Sequence, residues 1–214
     1  MRSKKIACLL AAVLAVASMS AAAGRFAFGL KAGIISANMV TADTDLKWSA
    51  VWRPTGGAFV TIPLSEWFYI QPEVIYASKG ATYSLTDGTT IFTATVAAPY
   101  VDIPILLKMY LPTGSSDGFR PNLFAGPYLG FKAGPGKMKM DIIYGGQSDS
   151  SEEALTSLKK TDFGVVLGAG VDMPMGRTML TFDIRWTSSL STISTEGDDT
   201  KNKGWTFLLG IAFN

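Results

Sequence analysis

The sequence predicts an all-β fold in which eight antiparallel strands close into an up-and-down transmembrane β-barrel. Eight segments alternate apolar and polar side chains, which places the apolar ones on one face of each strand. The polar connections between these segments alternate between short and long. After the N-terminal residues, no apolar run approaches the ~20 residues of a membrane-spanning helix. Together these features are typical of the small outer-membrane type of barrel.

Residues 1–23 have the organisation of a secretory signal peptide. Arg2, Lys4 and Lys5 precede the apolar run IACLLAAVLAVA, and the small residues SAAAG follow it. The apolar run is shorter than a membrane-spanning helix, which makes an uncleaved anchor the weaker alternative. We therefore expect cleavage, which leaves residues 24–214 as a single outer-membrane β-barrel domain.

The chain after the leader carries no thiol and little net charge. The only cysteine, Cys8, and three of the 19 basic residues lie in the leader. Its removal leaves 16 basic residues against 17 acidic ones. We therefore expect no disulfide, no lipid-anchored cysteine and no nucleic-acid partner.

The eight strand segments each carry an apolar register, which is least clear in the second segment. They cover residues 26–35, 56–63, 68–79, 100–111, 122–133, 162–173, 178–187 and 205–214. In FYIQPEVIYASK (68–79), Phe68, Val74 and Tyr76 lie on one register and Glu73 lies in the middle of the other. In a membrane barrel the apolar register faces hydrocarbon and the other faces the lumen. We therefore expect Glu73 to point inward.

The connections fall into two classes. The short ones are at 64–67, 112–121 and 174–176, and the long polar ones are at about 36–55, 80–95, 134–160 and 188–204. Outer-membrane barrels have short periplasmic turns and longer extracellular loops. This sorting predicts that both chain termini lie on the short-turn side.

Two of the long connections contain local signals. Asp87 and Gly88 form a two-residue hairpin signal, so the third and fourth strands should continue past the membrane. In SSEEALTSLKK, Ser150 and Glu153 have capping-box spacing and predict a short surface helix.

Three prolines fall inside predicted strands. Pro72, Pro104 and Pro127 each remove a hydrogen-bond donor from the ladder. We expect a bulge or a local slip of register near each of them.

The inward register carries equal numbers of acidic and basic side chains. They are Lys31, Lys79, Lys108, Lys132 and Arg185 against Glu73, Asp102, Asp162, Asp172 and Asp183. An eight-stranded barrel is just wide enough for side chains to fill its interior. We expect these groups to pair across the lumen as a polar plug, with a conducting channel as the alternative.

Glycines also recur on the inward register. They are Gly29, Gly33, Gly126, Gly130, Gly164, Gly168, Gly170 and Gly210. They either leave room for long neighbours such as Lys and Arg or mark a strongly curved wall.

Aromatic residues lie at two levels of the predicted strands. Those near the short-turn ends are Phe26, Trp67, Phe68 and Phe213, and those further along are Tyr76, Trp186 and Trp205. Two levels predict two interfacial belts.

The composition excludes several kinds of chemistry. The chain has no histidine, which removes Ser/His catalysis and the Asp/His protease arrangement. Without His and with Cys only in the leader, the usual zinc and transition-metal ligand sets are absent. LGAGVD (167–172) has no following helix or βαβ unit and is not a dinucleotide motif. We expect no enzyme activity, catalytic residue, cofactor or metal, although an Asp/Glu glycosidase pair and a calcium site in EGDDT (196–200) stay open by composition.

Several motifs together resemble a known family. These are GLKAGI, QPEVIYASKGA, YVDIPILLKMYL, FAGPYLGFKAG and LGAGVDMPM, and nearly the whole chain after the leader takes part. They are similar to the PorT-like outer-membrane β-barrel proteins of Bacteroidetes. The matching positions are Gly29, Lys31, Gly33, Gln71, Pro72, Glu73, Lys79, Gly80, Tyr100, Asp102, Pro104, Lys108, Gly126 and Pro127. The resemblance implies that the three strand prolines are a family feature. Most members have no assigned activity, and the namesake is linked to protein secretion.

Three functions follow as hypotheses. The leading one is a non-enzymatic integral outer-membrane barrel with an ion-paired lumen and surface-exposed loops, in a structural or interaction role. The second is a small pore or an accessory of protein secretion across the outer membrane. The third is an exported barrel that carries an apolar ligand inside, which requires the two faces to be exchanged.

An outer-membrane barrel also implies partners. We expect outer-membrane lipid, the barrel-assembly machinery and an extracellular or secretion-system protein that the sequence does not identify. The assembly machinery usually recognises a terminal aromatic residue, whereas here Phe213 is followed by Asn214.

Overall fold

A computed structural model describes residues 26–41, 48–112, 118–195 and 199–213. These residues form ten strands: β1 Ala27–Val40, β2 Val51–Pro63, β3 Phe68–Asp87, β4 Thr90–Tyr110, β5 Arg120–Lys132, β6 Gly136–Tyr144, β7 Gln147–Leu155, β8 Thr161–Met175, β9 Thr178–Ser189 and β10 Lys201–Phe213. Within this part of the chain, no helix has the length and apolar character needed to span a bilayer.

Eight of the strands form a closed ring. The order around it is β1, β2, β3, β4, β5, β8, β9 and β10, and β10 returns to pair with β1. All of these neighbours are antiparallel. The predicted eight-stranded barrel is confirmed, and each of the eight predicted segments lies largely within one ring strand.

The side chains alternate between the two faces of the wall as predicted. On β4, Leu107 is 50% exposed on the outside, whereas Leu106 and Lys108 are buried inside. On β3, Val74 and Tyr76 are exposed and Glu73 is buried. This orientation is the reverse of the one that an apolar-ligand carrier requires, so that hypothesis is wrong.

The third and fourth strands run on beyond the barrel, as the hairpin signal predicts. They end at a turn in which Gly88 has a φ of 58°, a left-handed conformation that glycine adopts without strain. Between Gly80 and Asp87, β3 rises about 23 Å at ~3.3 Å per residue. Much of the predicted 80–95 loop is therefore strand.

A second hairpin, formed by β6 and β7, extends this projection. β6 pairs with the outer part of β4, from Lys137 with Ala97 to Tyr144 with Thr90. β7 pairs with β6 along its whole length. We call the four-stranded projection, formed by residues 81–87 of β3, 90–97 of β4, β6 and β7, the outer sheet.

The expected surface helix at Ser150 and Glu153 is wrong, because both residues lie in β7. Gly145 and Gly146 have φ values of 57° and 83° and form a tight two-residue turn. This turn folds β7 back onto β6, and the ladder then satisfies the backbone groups that a helix would have paired internally.

The expected bulges at the strand prolines are also wrong. At each proline two pairs drop out of one ladder, and pairing then resumes in the same register. Beside Pro72, the flanking pairs are Phe59 with Glu73 and Ile62 with Ile70. Beside Pro104, they are Pro72 with Ile105 and Ile75 with Asp102. Beside Pro127, they are Pro104 with Tyr128 and Leu107 with Ala125. A one-residue slip would turn every later side chain to the opposite face, which costs more than one missing donor.

Candidate functional site

The centre of the lumen holds four charged side chains, which we call the lumen quartet: Lys31, Glu73, Asp183 and Arg185. Lys31 Nζ lies 3.2 Å from Glu73 Oε1 and also contacts Asp183. Arg185 Nη2 lies 3.0 Å from Glu73 Oε1 and 2.7 Å from Asp183 Oδ2. The four side chains are at most 4% exposed. Two cations and two anions therefore neutralise one another inside the wall.

Polar side chains extend the quartet toward β2. Gln71 donates to Glu73 Oε1 over 2.6 Å, and Thr61 donates to Gln71 Oε1 over 3.1 Å. Glu73 thus accepts hydrogen bonds from Lys31, Gln71 and Arg185. A buried carboxylate is stabilised when such donors replace its lost water.

A second group, the outer cluster, lies closer to the long loops. Lys79 Nζ lies 2.8 Å from Asp102 Oδ1 and 2.9 Å from Asp162 Oδ2. Asp162 also accepts hydrogen bonds from Tyr128, Ser189 and Asn202 at 2.9 to 3.2 Å. The Ser191 hydroxyl donates to its other oxygen, Oδ1, over 3.2 Å. With Lys79, five side chains therefore donate to the Asp162 carboxylate.

A third group, the inner cluster, lies near the short turns. Lys108 Nζ lies 2.7 Å from Asp172 Oδ2, and the Tyr110 hydroxyl donates to the same oxygen. The Arg120 guanidinium lies 4.0 Å from the centroid of the Tyr110 ring. Tyr69 packs edge-on against Tyr110 with ring centroids 4.9 Å apart. These aromatic and charged side chains occupy the short-turn end of the lumen.

The structure brings nine of the ten predicted lumen residues into these three groups. The exception is Lys132, which is partly buried and whose Nζ donates to the Leu158 carbonyl over 3.2 Å. Asp162 pairs in register with Gly130, two residues before Lys132. Lys132 therefore lies at the loop end of the wall, where it contacts backbone rather than a carboxylate.

Inward-facing aromatic rings lie beside the lumen cations. Lys31 Nζ lies 4.3 Å from the centroid of the Phe59 ring, and Lys108 Nζ lies 5.4 Å from that of Tyr110. Lys79 Nζ lies 4.9 Å from the Tyr100 centroid and 4.6 Å from the Tyr128 centroid. The Arg185 guanidinium carbon lies 5.3 Å from the Phe124 centroid. Such contacts attract a cation to the face of the ring. The sequence analysis named Tyr100 only as a family motif position and did not name the other rings, although Phe124 and Tyr128 also fall on the inward register.

Inward glycines accommodate the rings and the ion pairs. Gly29, Gly164 and Gly168 pair directly across the ladder with Phe59, Tyr128 and Phe124, respectively. A Cβ on any of these glycines would come within 2.6 Å of the opposite ring. At Gly130 a Cβ would meet Asp102 Oδ1 at 2.4 Å. The expected room for long neighbours is thus present, and much of it is taken by aromatic rings.

An apolar cluster, the mouth cluster, closes the loop end of the lumen. Its buried members are Met39, Ala81, Val96 and Ile193, with Trp48, Met138, Leu155 and Leu158 packed against them. These residues come from three of the long connections as well as the strands. Backbone bonds such as Lys159 N to Ile193 O, at 2.8 Å, join two of the connections above the lumen.

A small cavity separates the quartet from the outer cluster. It has a volume of about 40 Å³, and its walls include Ile75, Tyr128, Arg185, Asn202 and Leu208. A single water needs roughly 10 to 15 Å³ of such space. The cavity is therefore large enough for a few waters and too small for a larger solute.

The predicted belt aromatics lie at the two ends of the barrel wall. At the short-turn end, Phe26 precedes β1, Trp67 lies in the first turn, and Phe68 and Phe213 begin β3 and end β10. Nearer the loops, Trp186 and Trp205 pair directly between β9 and β10, and Tyr76 is exposed on β3.

Trp52 was missed by the sequence analysis. It is 60% exposed on the outer face of β2. The sequence analysis began the second strand at residue 56, four residues after Trp52. The alternation of VWRPTG reads on into the assigned segment and could have included it.

The described residues contain no group of three or more His, Cys, Asp or Glu arranged to hold a metal ion. Residues 196–198 of the calcium candidate EGDDT lie outside the described part of the chain. Each of the five buried lumen carboxylates accepts a hydrogen bond from Lys or Arg.

Comparison with known proteins adds the family to this geometry. The outer membrane protein beta-barrel domain matches residues 16–195. The chain belongs to this family. Its barrel is therefore an outer-membrane barrel, and its localisation is the outer membrane.

Three solved structures illustrate what the fold of this chain is similar to. Neisserial surface protein A is 14% identical, with a TM-score of 0.46, over 87% of this chain and 97% of its own. The outer membrane protein OprG from Pseudomonas aeruginosa is 12% identical, with a TM-score of 0.45, over 87% and 94%. The attachment invasion locus protein Ail of Yersinia pestis is 10% identical, with a TM-score of 0.41, over 89% and 100%. No curated protein sequence matches the chain at a significant level.

Proposed function

We propose that this chain is a closed, non-enzymatic outer-membrane barrel whose lumen is filled by structural ion pairs and whose outer loops and outer sheet carry its role. The observation that carries the proposal is the lumen quartet. Lys31 on β1, Glu73 on β3 and the Asp183–Arg185 pair on β9 meet in the bore with almost no exposed side-chain surface.

The contents of the bore support closure at three levels. The inner cluster and Arg120 occupy the short-turn end, the quartet occupies the middle, and the mouth cluster lies beneath the long connections. An eight-stranded wall leaves little space that side chains do not fill. An ion would have to displace paired charges and then cross an apolar layer, and both steps are costly.

The same pairing supports a non-enzymatic role. A general acid or base must be free to exchange a proton with a bound substrate. The five lumen carboxylates are instead engaged by Lys and Arg, and the chain has no histidine. The outer sheet, which stands in water, is then the part available to a partner.

Several finer assignments belong to this proposal. The resemblance of the sequence motifs supports the proposal that the chain is a PorT-like member of the family. A cleaved leader at residues 1–23 exports it, the barrel-assembly machinery inserts it, and the two sets of aromatics contact the lipid interfaces.

Single-channel recording in planar bilayers tests the proposal. We expect the wild-type barrel, purified as residues 24–214, to give no steady conductance. A Glu73→Ala, Arg185→Ala double variant, which removes two of the four charged side chains from the middle of the bore, should leak more often than a Glu152→Ala variant on the exposed hairpin. Steady wild-type conductance would overturn closure and favour the alternative of a small pore or an accessory of protein secretion.

A gel comparison of unheated and boiled outer-membrane fractions tests the membrane assignment separately. A folded barrel should change its migration on boiling and should require detergent for extraction. Protein released into buffer without detergent would contradict the proposal.

A further inference from the structure

The outer sheet ends in an unpaired edge. β7 forms a ladder with β6 only, and in the described part of the chain no other strand pairs with it. Its residues Gln147 to Ala154 are exposed. Backbone groups that face this edge are therefore available to an added strand.

Of the devices that usually protect such an edge, β7 has charged side chains but lacks proline, lysine and a bulge. Its sequence, QSDSSEEAL, contains no proline, glycine or lysine. Its register with β6 is unbroken from Gly136 with Leu155 to Tyr144 with Gln147, so no bulge twists it away. The acidic residues Asp149, Glu152 and Glu153 are its only charges.

The sheet beside this edge has one apolar and one polar face. On the face that continues into the mouth cluster, Leu85, Phe92 and Ile142 form one row across three strands, and Tyr83, Ala94 and Met140 form the next. The side chain of Leu85 is 53% exposed, and it lies beyond the part of β3 that belongs to the barrel wall. Exposed apolar surface on a part of the protein that stands in water marks an interaction site.

The acidic residues of β7 border this apolar face. Asp149 and Glu153 continue the rows of Ile142 and Met138, so they lie on the same face. Glu152 lies on the opposite face and pairs with Lys137 at 2.7 Å. Next to the edge, the apolar face therefore presents the carboxylates of Asp149 and Glu153, whereas the ion pair with Lys137 lies on the opposite face.

These charges decide which partner fits. If two copies of β7 paired antiparallel in full overlap, Asp149 of each would lie opposite Glu153 of the other. Like charges directly opposite one another destabilise a strand pair, whereas opposite charges stabilise it. A second copy is therefore disfavoured and a basic strand is favoured.

We propose that the β7 edge binds an extended basic polypeptide segment of another protein by strand addition, with alternate Lys or Arg residues facing Asp149 and Glu153. The inference rests on the proposed function, in which the outer sheet is the surface offered to partners. Apolar residues at either end of the segment would continue onto the face formed by Leu85, Phe92 and Ile142.

A peptide-binding measurement on the barrel in nanodiscs tests the inference. The nanodiscs contain phosphatidylcholine, because this lipid carries no net charge and does not itself attract a basic peptide. The probe is a fluorescein-labelled nine-residue peptide with Lys and Val at alternate positions, followed by fluorescence anisotropy at low salt. A peptide of the same charge with a central proline is the matched control, because it cannot complete the ladder. We expect at least tenfold weaker binding of the control.

The key variant is Ser150→Pro. Because the turn has two residues, Tyr144 and Gln147 form a hydrogen-bonded pair, and hydrogen-bonded and non-hydrogen-bonded pairs alternate from there along the ladder. Asp141 with Ser150 is therefore a non-hydrogen-bonded pair, and the Ser150 N–H points away from β6 toward the free edge. This proline should remove an edge donor without removing a bond to β6, and it should weaken peptide binding at least tenfold. Circular dichroism and heat-dependent gel migration check that the fold is retained.

Charge variants keep the inference testable if Ser150→Pro disturbs the hairpin. Asp149→Asn with Glu153→Gln should weaken binding several-fold and reduce its dependence on salt, whereas Asp87→Asn at the tip of the neighbouring hairpin should not. No binding of the Lys-Val peptide, or equal binding of the proline-containing peptide, would overturn the inference. A wild-type dimer that Ser150→Pro abolishes would overturn it too, since a second copy would then occupy the edge.

The bilayer recording separates this inference from the proposed function. A wild-type barrel that does not bind the Lys-Val peptide and does not conduct contradicts strand addition alone. Steady conductance contradicts the closed barrel whatever the peptide does.

Discussion

Arg185 and Glu73 form a two-pronged ion pair across the lumen, although 112 residues separate them in the sequence. Lys31 and Asp183 complete the group, and none of the four side chains is more than 4% exposed. Removing one member of a buried ion pair leaves its partner charged and without water. The stability of the barrel should therefore respond strongly to single changes in this group.

Glu73→Gln should destabilise the barrel by about 3 to 5 kcal/mol. The change keeps the size of the side chain but leaves Lys31 and Arg185 with one carboxylate, Asp183, between them. Urea unfolding of the barrel in lipid vesicles measures the loss. Glu152→Gln, in a pair that is more than half exposed, is the control and should cost less than ~1 kcal/mol.

Adding Arg185→Met to Glu73→Gln should recover part of the loss. The double variant leaves Lys31 paired with Asp183, so the charges balance again. The two changes should be non-additive by roughly 0.5 to 3 kcal/mol in a double-mutant cycle of unfolding free energies. Additive costs would mean that Arg185 and Glu73 do not interact in the membrane.

Leu107→Arg should cost about 2 to 4 kcal/mol if the residue lies near the bilayer midplane. Leu85→Arg is the matched control, because Leu85 has a similar exposed fraction but lies on the outer sheet, in water. It should be nearly neutral in the same unfolding measurement. Equal costs at the two positions would contradict the placement of β4 in lipid.

Gly130→Ala should destabilise the barrel by about 1 to 3 kcal/mol, since the new methyl group would contact Asp102 and displace it from Lys79. In an Asp102→Ala background the same change should cost much less, because the contacting oxygen is gone. An unchanged cost in that background would assign the effect to the backbone of β5 instead.

Replacing residues 139–152 by Asn-Gly should leave the barrel folded. This change shortens the β6–β7 hairpin but keeps Met138 and Leu155, which pack on the mouth cluster. The ring of eight strands does not include β6 or β7. Heat-dependent gel migration should be retained, and its loss would show that the outer sheet is needed for barrel formation.

Side-chain alternation made the ring predictable from sequence. Neighbours such as Leu107 and Lys108 differ so strongly in polarity that only one register puts each in a suitable environment. The same alternation underlies the ten predicted lumen charges, nine of which lie in the lumen quartet, the outer cluster and the inner cluster. It also explains why the prolines produce no bulge, because a slip at Pro104 would have exchanged Leu107 and Lys108.

The outer sheet was harder to predict because water surrounds it. KMKMDII, in β6, alternates with period two, but it lies within a long polar connection. The capping-box spacing of Ser150 and Glu153 is a local signal for a helix, and the Gly145–Gly146 turn and the β6 ladder override it. The partner of Lys132 could not be predicted for another reason. It is the backbone carbonyl of Leu158, which lies in a loop, and strand alternation gives no information about loop contacts.

Site-directed spin labelling of β4 tests the central claim most directly. Residues 24–214 contain no cysteine, so in this segment single cysteines can be placed at each of residues 101–109 and labelled without background. Oxygen, which concentrates in lipid, should reach labels at 101, 103, 105, 107 and 109 and should be excluded at 102, 106 and 108. Accessibility without this alternation, or greatest at 102, 106 and 108, would contradict a barrel whose charged side chains fill the lumen.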